Sequence, residues 1–322
     1  MAPTLEFQII DPADNTQMQT VTDLWNTACG TDLAISPRLA AHNLRPSAGG
    51  TQIAWSALHN GLPVGFVAAS SLNDPTVVEE HAGWLDAIAV TPDAQGTGIG
   101  RALLQQAEAW LTQQGAKSIT VGAGLRPFVP GVPEALNTDA FFQRHGYGNE
   151  PALKIPQWDV AADLGHYTPP RTVREIDALV RPAQRDDVDA MLIFLQREFP
   201  DRWRYEFEQF MAEGGRLSDY MVLWTARGVD GCCVLTFEDS FHPIERYYPY
   251  RLPRPWGQLG SIGISADRRG QGFGAALLDA GLRRLHNNGV NGCVIDWTDL
   301  LDFYTKFGFS PYRSYHILVK KF

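Results

Sequence analysis

The chain has 322 residues, 44% of them hydrophobic and 20% charged, a balance that excludes wholesale disorder, collagen-like fibre and coiled coil. That length suits two domains of ordinary size. Lys and Arg number 27 against 36 Asp and Glu, a formal charge of −9, so a nucleic-acid partner is not expected.

Cys29, Cys232, Cys233 and Cys293 form no CxxC pair and read as reduced thiols of a cytoplasmic protein. The first residues lack a basic stretch followed by a long apolar one, and no run approaches the roughly 18 apolar residues of a membrane span, so no membrane partner is expected.

In chain order, residues 7–10 read as a strand, 16–28 and 36–44 as helices, and 51–58, 62–69 and 83–90 as strands. Ser36-Pro37 is a helix start, because serine accepts an orphan N–H and proline at the first position loses no needed donor. Asn60-Gly61 between two apolar runs is a hairpin turn. A helix from about residue 99 ends at Gly115, followed by a strand at 118–121 and a helix at 139–145. The stretch 164–172, LGHYTPPRT, carries paired prolines that suit neither a strand nor a helix interior. It reads as a linker, with the boundary near Gly165 and domains at 1–165 and 166–322. The second half then gives a strand at 174–179, helices at 185–196 and 204–213, and strands at 221–226, 231–237 and 259–265. A helix at 273–287, a strand at 292–297, a helix at 300–307 and one closing strand at 312–320 complete it.

An internal near-repeat governs the functional reading. Residues 88–104, IAVTPDAQGTGIGRALL, match residues 262–278, IGISADRRGQGFGAALL. Each copy places a strand before a Gly-rich segment that opens a helix, with Leu103, Leu104 and Leu111 on one apolar stripe and Leu277, Leu278, Leu282 and Leu285 on the other. The segments Gln95-Gly96-Thr97-Gly98-Ile99-Gly100 and Arg269-Gly270-Gln271-Gly272-Phe273-Gly274 let the backbone approach a phosphate, which the unpaired N–H groups of the helix start would hold. Neither ends in the Lys-Ser or Lys-Thr of a P-loop, and the glycines are misplaced for a dinucleotide fingerprint.

Both segments resemble the Q/R-x-x-G-x-G/A signature of the GNAT superfamily of N-acetyltransferases, met by Gln95, Gly98 and Gly100 and again by Arg269, Gly272 and Gly274. The likeness extends to a downstream aromatic helix followed by glycine, at Asn137, Ala140, Phe141, Phe142, Gly146 and Tyr147 and at Phe303, Tyr304, Gly308 and Phe309. The resemblance implies an α/β (α+β) chain of two tandem GNAT domains, each a mixed central sheet flanked by helices. It implies acetyl-CoA as the acyl carrier, its pyrophosphate on the two Gly-rich loops and its pantetheine arm between two splayed strands. Ile88, Val90, Ile262 and Ile264 would border that arm, and a small-molecule primary amine, an amino sugar among the candidates, would be the acceptor.

The family commonly uses a tyrosine to protonate the departing thiolate. Tyr304 matches that position in the second half, where a packed aromatic is the plainer reading, and Phe142 matches it in the first. The second domain is therefore the expected site of catalysis, with the first degenerate. The general base stays open among Glu238, Asp239, His242, Glu245 and Asp296, with Glu80, His81 and Asp86 their counterparts in the first half. Gly98 to Phe142 spans 44 residues against 32 from Gly272 to Tyr304. The extra length is a Pro-rich insertion at 123–133, where Arg126 is a candidate partner for an acidic group and Phe128 and Val129 are candidate packing residues. Residues 237–256 read as a second loop near the acceptor. No metal-ligand spacing is present, so no metal is expected.

Overall fold

The structure is a computed structural model that describes residues 5–78, 80–153 and 156–322. The chain opens with β1 (Leu5–Ile9), α1 (Asn15–Cys29), α2 (Pro37–Asn43), β2 (Thr51–His59), β3 (Leu62–Leu72) and β4 (Ala82–Val90). Next come α3 (Ile99–Gln114), β5 (Ser118–Val121), β6 (Val132–Pro133), α4 (Asp139–Gln143), β7 (Gly148–Asn149) and β8 (Gln157–Asp163). The second run has β9 (Leu179–Pro182), α5 (Val188–Glu198), α6 (Arg202–Ala212), β10 (Tyr220–Thr225), β11 (Gly228–Phe237) and β12 (Trp256–Ile264). It ends with α7 (Phe273–Asn287), β13 (Gly292–Thr298), α8 (Leu301–Thr305), β14 (Ser310–His316) and β15 (Leu318–Lys321).

Local chemistry sets many of these bounds. The Asp14 side chain accepts the Thr16 and Gln17 N–H groups at the start of α1, and Ser36 accepts from Leu39 before Pro37 opens α2. Asn60 and Gly61 take φ of 53° and 78°, the left-handed pair of a tight hairpin between β2 and β3.

Two compact units emerge, Met1–Gln157 with Ser314–Phe322, and Trp158–Arg313. The sheet of the first unit runs β1-β2-β3-β4-β5-β15-β7, with β4 and β5 its parallel pair. In the second unit the order is β9-β10-β11-β12-β13-β8-β14, with β12 and β13 parallel. Two segments therefore stand on the far side of the boundary expected near Gly165. Each sheet is completed by a strand that chain order would give to the other half: β8 pairs with β13, and β15 lies between β5 and β7.

The expected closing strand at 312–320 is in fact two strands, parted at Ile317. The strand expected at 174–179 begins only at Leu179. Ahead of it Val173, Ile176 and Ala178 pack on the core that includes α7, and the Tyr167 hydroxyl donates to Asp279 of that helix at 2.9 Å. Those side chains are partly buried without a sheet partner.

The main core of each unit lies between its long helix and its sheet. Leu103, Leu104, Ala107 and Leu111 of α3 meet Val67, Leu85, Ile119 and Leu318. Leu277, Leu278, Leu282 and Leu285 of α7 meet Leu235, Leu259, Cys293 and Ile295. A second cluster packs Met191 and Phe194 of α5 and Phe207 and Phe210 of α6 against Val222 and Cys232 on the opposite face. No helix among the described residues is long and apolar enough to cross a membrane.

Leu318 is fully buried in the first unit although it comes from the last strand of the chain. Leu318→Ala should lower the stability of that unit by about 2–5 kcal/mol. Urea denaturation followed by a probe in the first unit checks this, and a loss below half a kcal/mol would contradict the role of β15.

Candidate active site

In the second unit β12 and β13 pair over three residue pairs only, Trp256 with Gly292, Gly257 with Cys293 and Gln258 with Val294. Beyond them the strands part. Each also breaks register with its outer neighbour, β12 opposite Cys232–Val234 of β11 and β13 between Ile295 and Thr298. Ser261 and Trp297 take positive φ of 45° and 49° at these breaks, the local distortion of a β-bulge.

Side chains alternate across the parting. Leu259, Cys293 and Ile295 face α7, whereas Val294 packs with Ile244, Tyr247 and Trp256 on the other face. Asp296, two residues beyond Val294, lies on that second face, and its Oδ1 accepts from Gln258 Nε2 at 2.7 Å. Gln258 Oε1 in turn accepts from the Thr236 hydroxyl at 2.9 Å. Gly260 leaves the space open, because a Cβ there would stand 2.2 Å from Gln258 Nε2 and 3.3 Å from Asp296 Oδ1. Burial lifts the Asp296 carboxyl above its ordinary value, opposed by Arg246 and the Gln258 hydrogen bond.

Tyr304, on α8, reaches the same parting from the α7 side, packed in the core with Cys233, Ile295 and Phe309. Burial pushes its hydroxyl well above the usual tyrosine value, and the Asp296 charge acts in the same direction. A carboxylate and a protonated phenol thus serve one gap from opposite faces.

At the far end of β12 the Gly-rich loop leads into α7. Gly270 and Gly272 have φ of 76° and 94°, and Gly272 is the residue before the helix. In the first unit Gly96 and Gly98 repeat this with 75° and 93° ahead of α3. The side chains of the signature's first position and its neighbours fold back onto the loop: Gln95 Nε2 donates to the Val90 carbonyl and Thr97 Oγ1 to the Ala94 carbonyl, and Gln271 Nε2 donates to the Asp267 carbonyl. A Cβ at Gly96, Gly98 or Gly270 would meet nothing within 4 Å, and neither helix has an acidic residue in its first turn. Open space over the orphan N–H groups and the positive end of each helix makes the donor set fit a diphosphate.

The segment before the second loop is braced from below. Asp230 is fully buried and accepts from Thr225 Oγ1 at 2.6 Å, Ser265 Oγ at 2.7 Å and Arg227 Nε at 2.8 Å, while Arg227 also clasps Asp267. Sequence reading missed this cluster, whose members come from β10, β11 and the end of β12.

Other expected site residues are placed elsewhere. Glu238 accepts from Arg254 Nε at 3.0 Å and from the Trp256 N–H at 3.1 Å, at the opposite end of β12 from the loop. There it lines a cavity of about 380 Å³ together with Arg216 and Arg284. Asp239 is clasped by Arg216, and His242 lies edge-on to Phe210 at 5.9 Å. Arg246 and Tyr247, by contrast, belong to the Asp296 face. Among the described residues no cluster of His, Cys, Asp or Glu could hold a metal ion.

The first unit repeats the frame and closes it. There β4 and β5 pair from Ala82–Ser118 to Leu85–Val121 and then part, with a bulge at Asp86. Gly122, just ahead of the insertion, ends the ladder by donating its N–H to the Leu85 carbonyl at 2.9 Å, and the inserted segment then crosses the gap, with the Phe128 N–H donating to the Asp86 carbonyl at 3.1 Å. Phe128 is buried against Trp25 and Phe66, with ring centroids 5.1 and 5.9 Å away. Arg126 donates to the Ser47 hydroxyl and the His42 carbonyl. Asp86, fully enclosed beneath the insertion, has its carboxyl pushed up by burial to about 7, and Phe142 fills the place of the tyrosine. His81 bonds the Ser71 hydroxyl at 2.8 Å, and Glu80 is exposed.

A family model described as the acetyltransferase (GNAT) family matches residues 18–128 and again 188–309. The chain therefore belongs to the GNAT acetyltransferase family, with two tandem GNAT domains. Among solved structures it is similar to the GCN5-related glucosamine N-acetyltransferase region of a fungal multi-domain GH3 β-N-acetylglucosaminidase. The identity is 24% and the TM-score 0.88, over 99% of this chain and 38% of that one. It is also similar to a tandem GNAT protein from the clavulanic acid biosynthesis pathway, at 17% identity and TM-score 0.73, over 99% and 98% of the two chains. A GCN5-related N-acetyltransferase from Sphaerobacter thermophilus gives 16% and 0.68, over 98% and 95%. At these identities the likeness is one of fold. No curated protein sequence matches the chain.

Hydrogen bonds from Arg227, Thr225 and Ser265 outweigh burial and hold the Asp230 carboxyl well below the usual range. Its stabilisation is therefore present in full above the ordinary carboxyl pKa and is lost progressively as pH falls from there through the lowered native value. Asp230→Asn should destabilise the second unit by about 1–3 kcal/mol at neutral pH, with the difference shrinking below about pH 4. Denaturation at pH 7 and pH 3 checks both; a deficit equal at the two values would refute the linkage.

Proposed function

We propose that the protein is an acetyl-CoA-dependent N-acetyltransferase that acts on a small-molecule primary amine by direct transfer in a ternary complex, with the chemistry in the second unit. The observation that carries this reading is the pairing of Asp296 and Tyr304 across one strand parting that leads to the Gly272-capped helix. The glucosamine N-acetyltransferase region among the similar structures makes an amino sugar a reasonable acceptor class. A cytoplasmic location accords with the four free cysteines.

Backbone N–H groups of residues 269–274 would hold the coenzyme's diphosphate, and Ile262 and Ile264, on β12 beyond the parting, would border its arm. When bound, the coenzyme supplies an acyl thioester, an activated carbonyl open to attack. Asp296, kept in its ionised form in part by Arg246, takes a proton from the amine nitrogen as the C–N bond forms. Tyr304, kept protonated by burial, gives its hydroxyl proton to the sulfur as the C–S bond breaks. Release of the proton from Asp296 and return of one to Tyr304 through water closes the cycle. Asp296 is assigned as the base in preference to Glu238, which Arg254 engages at the other end of β12.

The first unit keeps the loop Gln95–Gly100 and the bordering residues Ile88 and Val90, and so retains a frame for a coenzyme. It does not transfer, because Phe142 has no proton to give and the insertion covers Asp86.

Tyr304→Phe should lower kcat by about 10²–10⁴ while the coenzyme A dissociation constant stays within twofold. Wild-type kcat should rise with pH through a carboxyl step above the ordinary aspartate value, since the base acts only when ionised, and Asp296→Asn should lose that step. Steady-state assays with both substrates saturating measure these effects. A Tyr304→Phe rate within twofold of wild type would sink the assignment.

A further inference from the structure

Arg246 helps to keep Asp296 ionised, but the proposed proton transfer makes no use of its N–H donors. It sits in the turn Ile244–Tyr247, whose Ile244 and Tyr247 pack with Val294 of β13. Val294 and Asp296 are two residues apart on one strand and share a face, so the turn brings Arg246 to the side of the parting that Asp296 occupies. Its guanidinium lies 5.2 Å from the Tyr247 ring centroid.

The surroundings leave that cation incompletely matched. Arg202, on the neighbouring helix α6, is held by Glu206 at 2.6 Å and lies 5.3 Å from the Trp297 ring. Asp296 and Glu206 act on the Arg246 charge from a distance, but among the described residues Arg246 has no carboxylate within the 4.0 Å of an ion pair and no side-chain hydrogen bond. A half-enclosed guanidinium keeps five N–H donors in a fork that matches a carboxylate or phosphate. Burial works against the Arg246 charge and the distant acidic groups outweigh it, and an incoming anion would add the direct hydrogen bonds that they do not make.

We propose that the acceptor is an amine that also carries an anionic group, a carboxylate or a phosphate, which Arg246 grips while the amine faces Asp296. The proposal rests on the acetyl-transfer reading of this cleft and narrows it. One cation and one carboxylate on the same wall are complementary to an anion and an amine on one small molecule. A neutral amine fills the same space and leaves the fork unpaired, which gives selectivity by an unmet polar group.

Calorimetry on the full chain in the presence of coenzyme A provides the test, with glucosamine 6-phosphate compared with glucosamine and phenylalanine with phenylalaninamide. The anionic member of at least one pair should bind about tenfold or more tightly, and the pair that shows it tells phosphate from carboxylate. Arg246→Met should abolish the preference and Arg246→Lys should retain part of it, with coenzyme A affinity and melting temperature reporting whether each variant is folded. Equal binding within both pairs, or a preference that survives in folded Arg246→Met, overturns the proposal. Transfer is scored separately with acetyl-CoA: anionic amines that bind through Arg246 and are never acetylated would leave the anion grip standing and remove the transferase reading.

Discussion

The chemistry proposed for this chain depends on a place where β-pairing stops. In each unit a parallel pair of strands in the middle of the sheet holds together for only a few residues and then opens, and a bulge beside the opening turns the backbone away from its neighbour. Buried backbone N–H and C=O groups require partners. A gap in the middle of a sheet therefore attracts whatever can supply amide-like donors and acceptors, and a slender ligand with amides of its own can take the place of the missing ladder.

The two units meet that requirement differently. In the first, the inserted residues supply a missing partner themselves, through the Phe128 N–H on the Asp86 carbonyl. The carboxyl of Asp86 is sealed under them. In the second, no inserted segment is present, Gly260 keeps the gap clear, and Asp296 and Tyr304 line it. Duplication preserved the frame, and twelve extra residues decided which copy stays open.

What was legible from sequence was what depends on residues close in the chain. The loop glycines must adopt positive φ and do so, the caps at Ser36 and Asp14 act on the next turn, and the exchange of Tyr304 for Phe142 is visible in any alignment of the two halves. Partnerships set by distant segments were not legible. Nothing in the composition of β8 or β15 tells which sheet each will join, because both carry apolar residues that either core could bury. Glu238 and Asp296 are equally plausible carboxylates on paper, and only the register of β12 against β13 separates one beside Arg254 from one at the parting. The brace on Asp230 is hidden for the same reason, since Thr225, Arg227, Ser265 and Asp267 converge from separate strands and loops.

The coupling between Asp296 and Tyr304 adds a temporal order to this geometry. While Asp296 is ionised, its charge works with burial to keep the Tyr304 proton in place, so the phenol is not lost before reaction. In the proposed mechanism Asp296 accepts the proton of the amine, and the contribution its charge made to the tyrosine's reluctance then disappears. On that proposal Tyr304 becomes a better acid at the stage when the sulfur needs a proton, and the burial around the phenol makes the change larger than it would be at the surface. Placing the proposed base and acid on opposite faces of one gap lets them influence each other through the field without exchanging a proton directly. The parting of the strands thus separates the two groups and ties their charge states together.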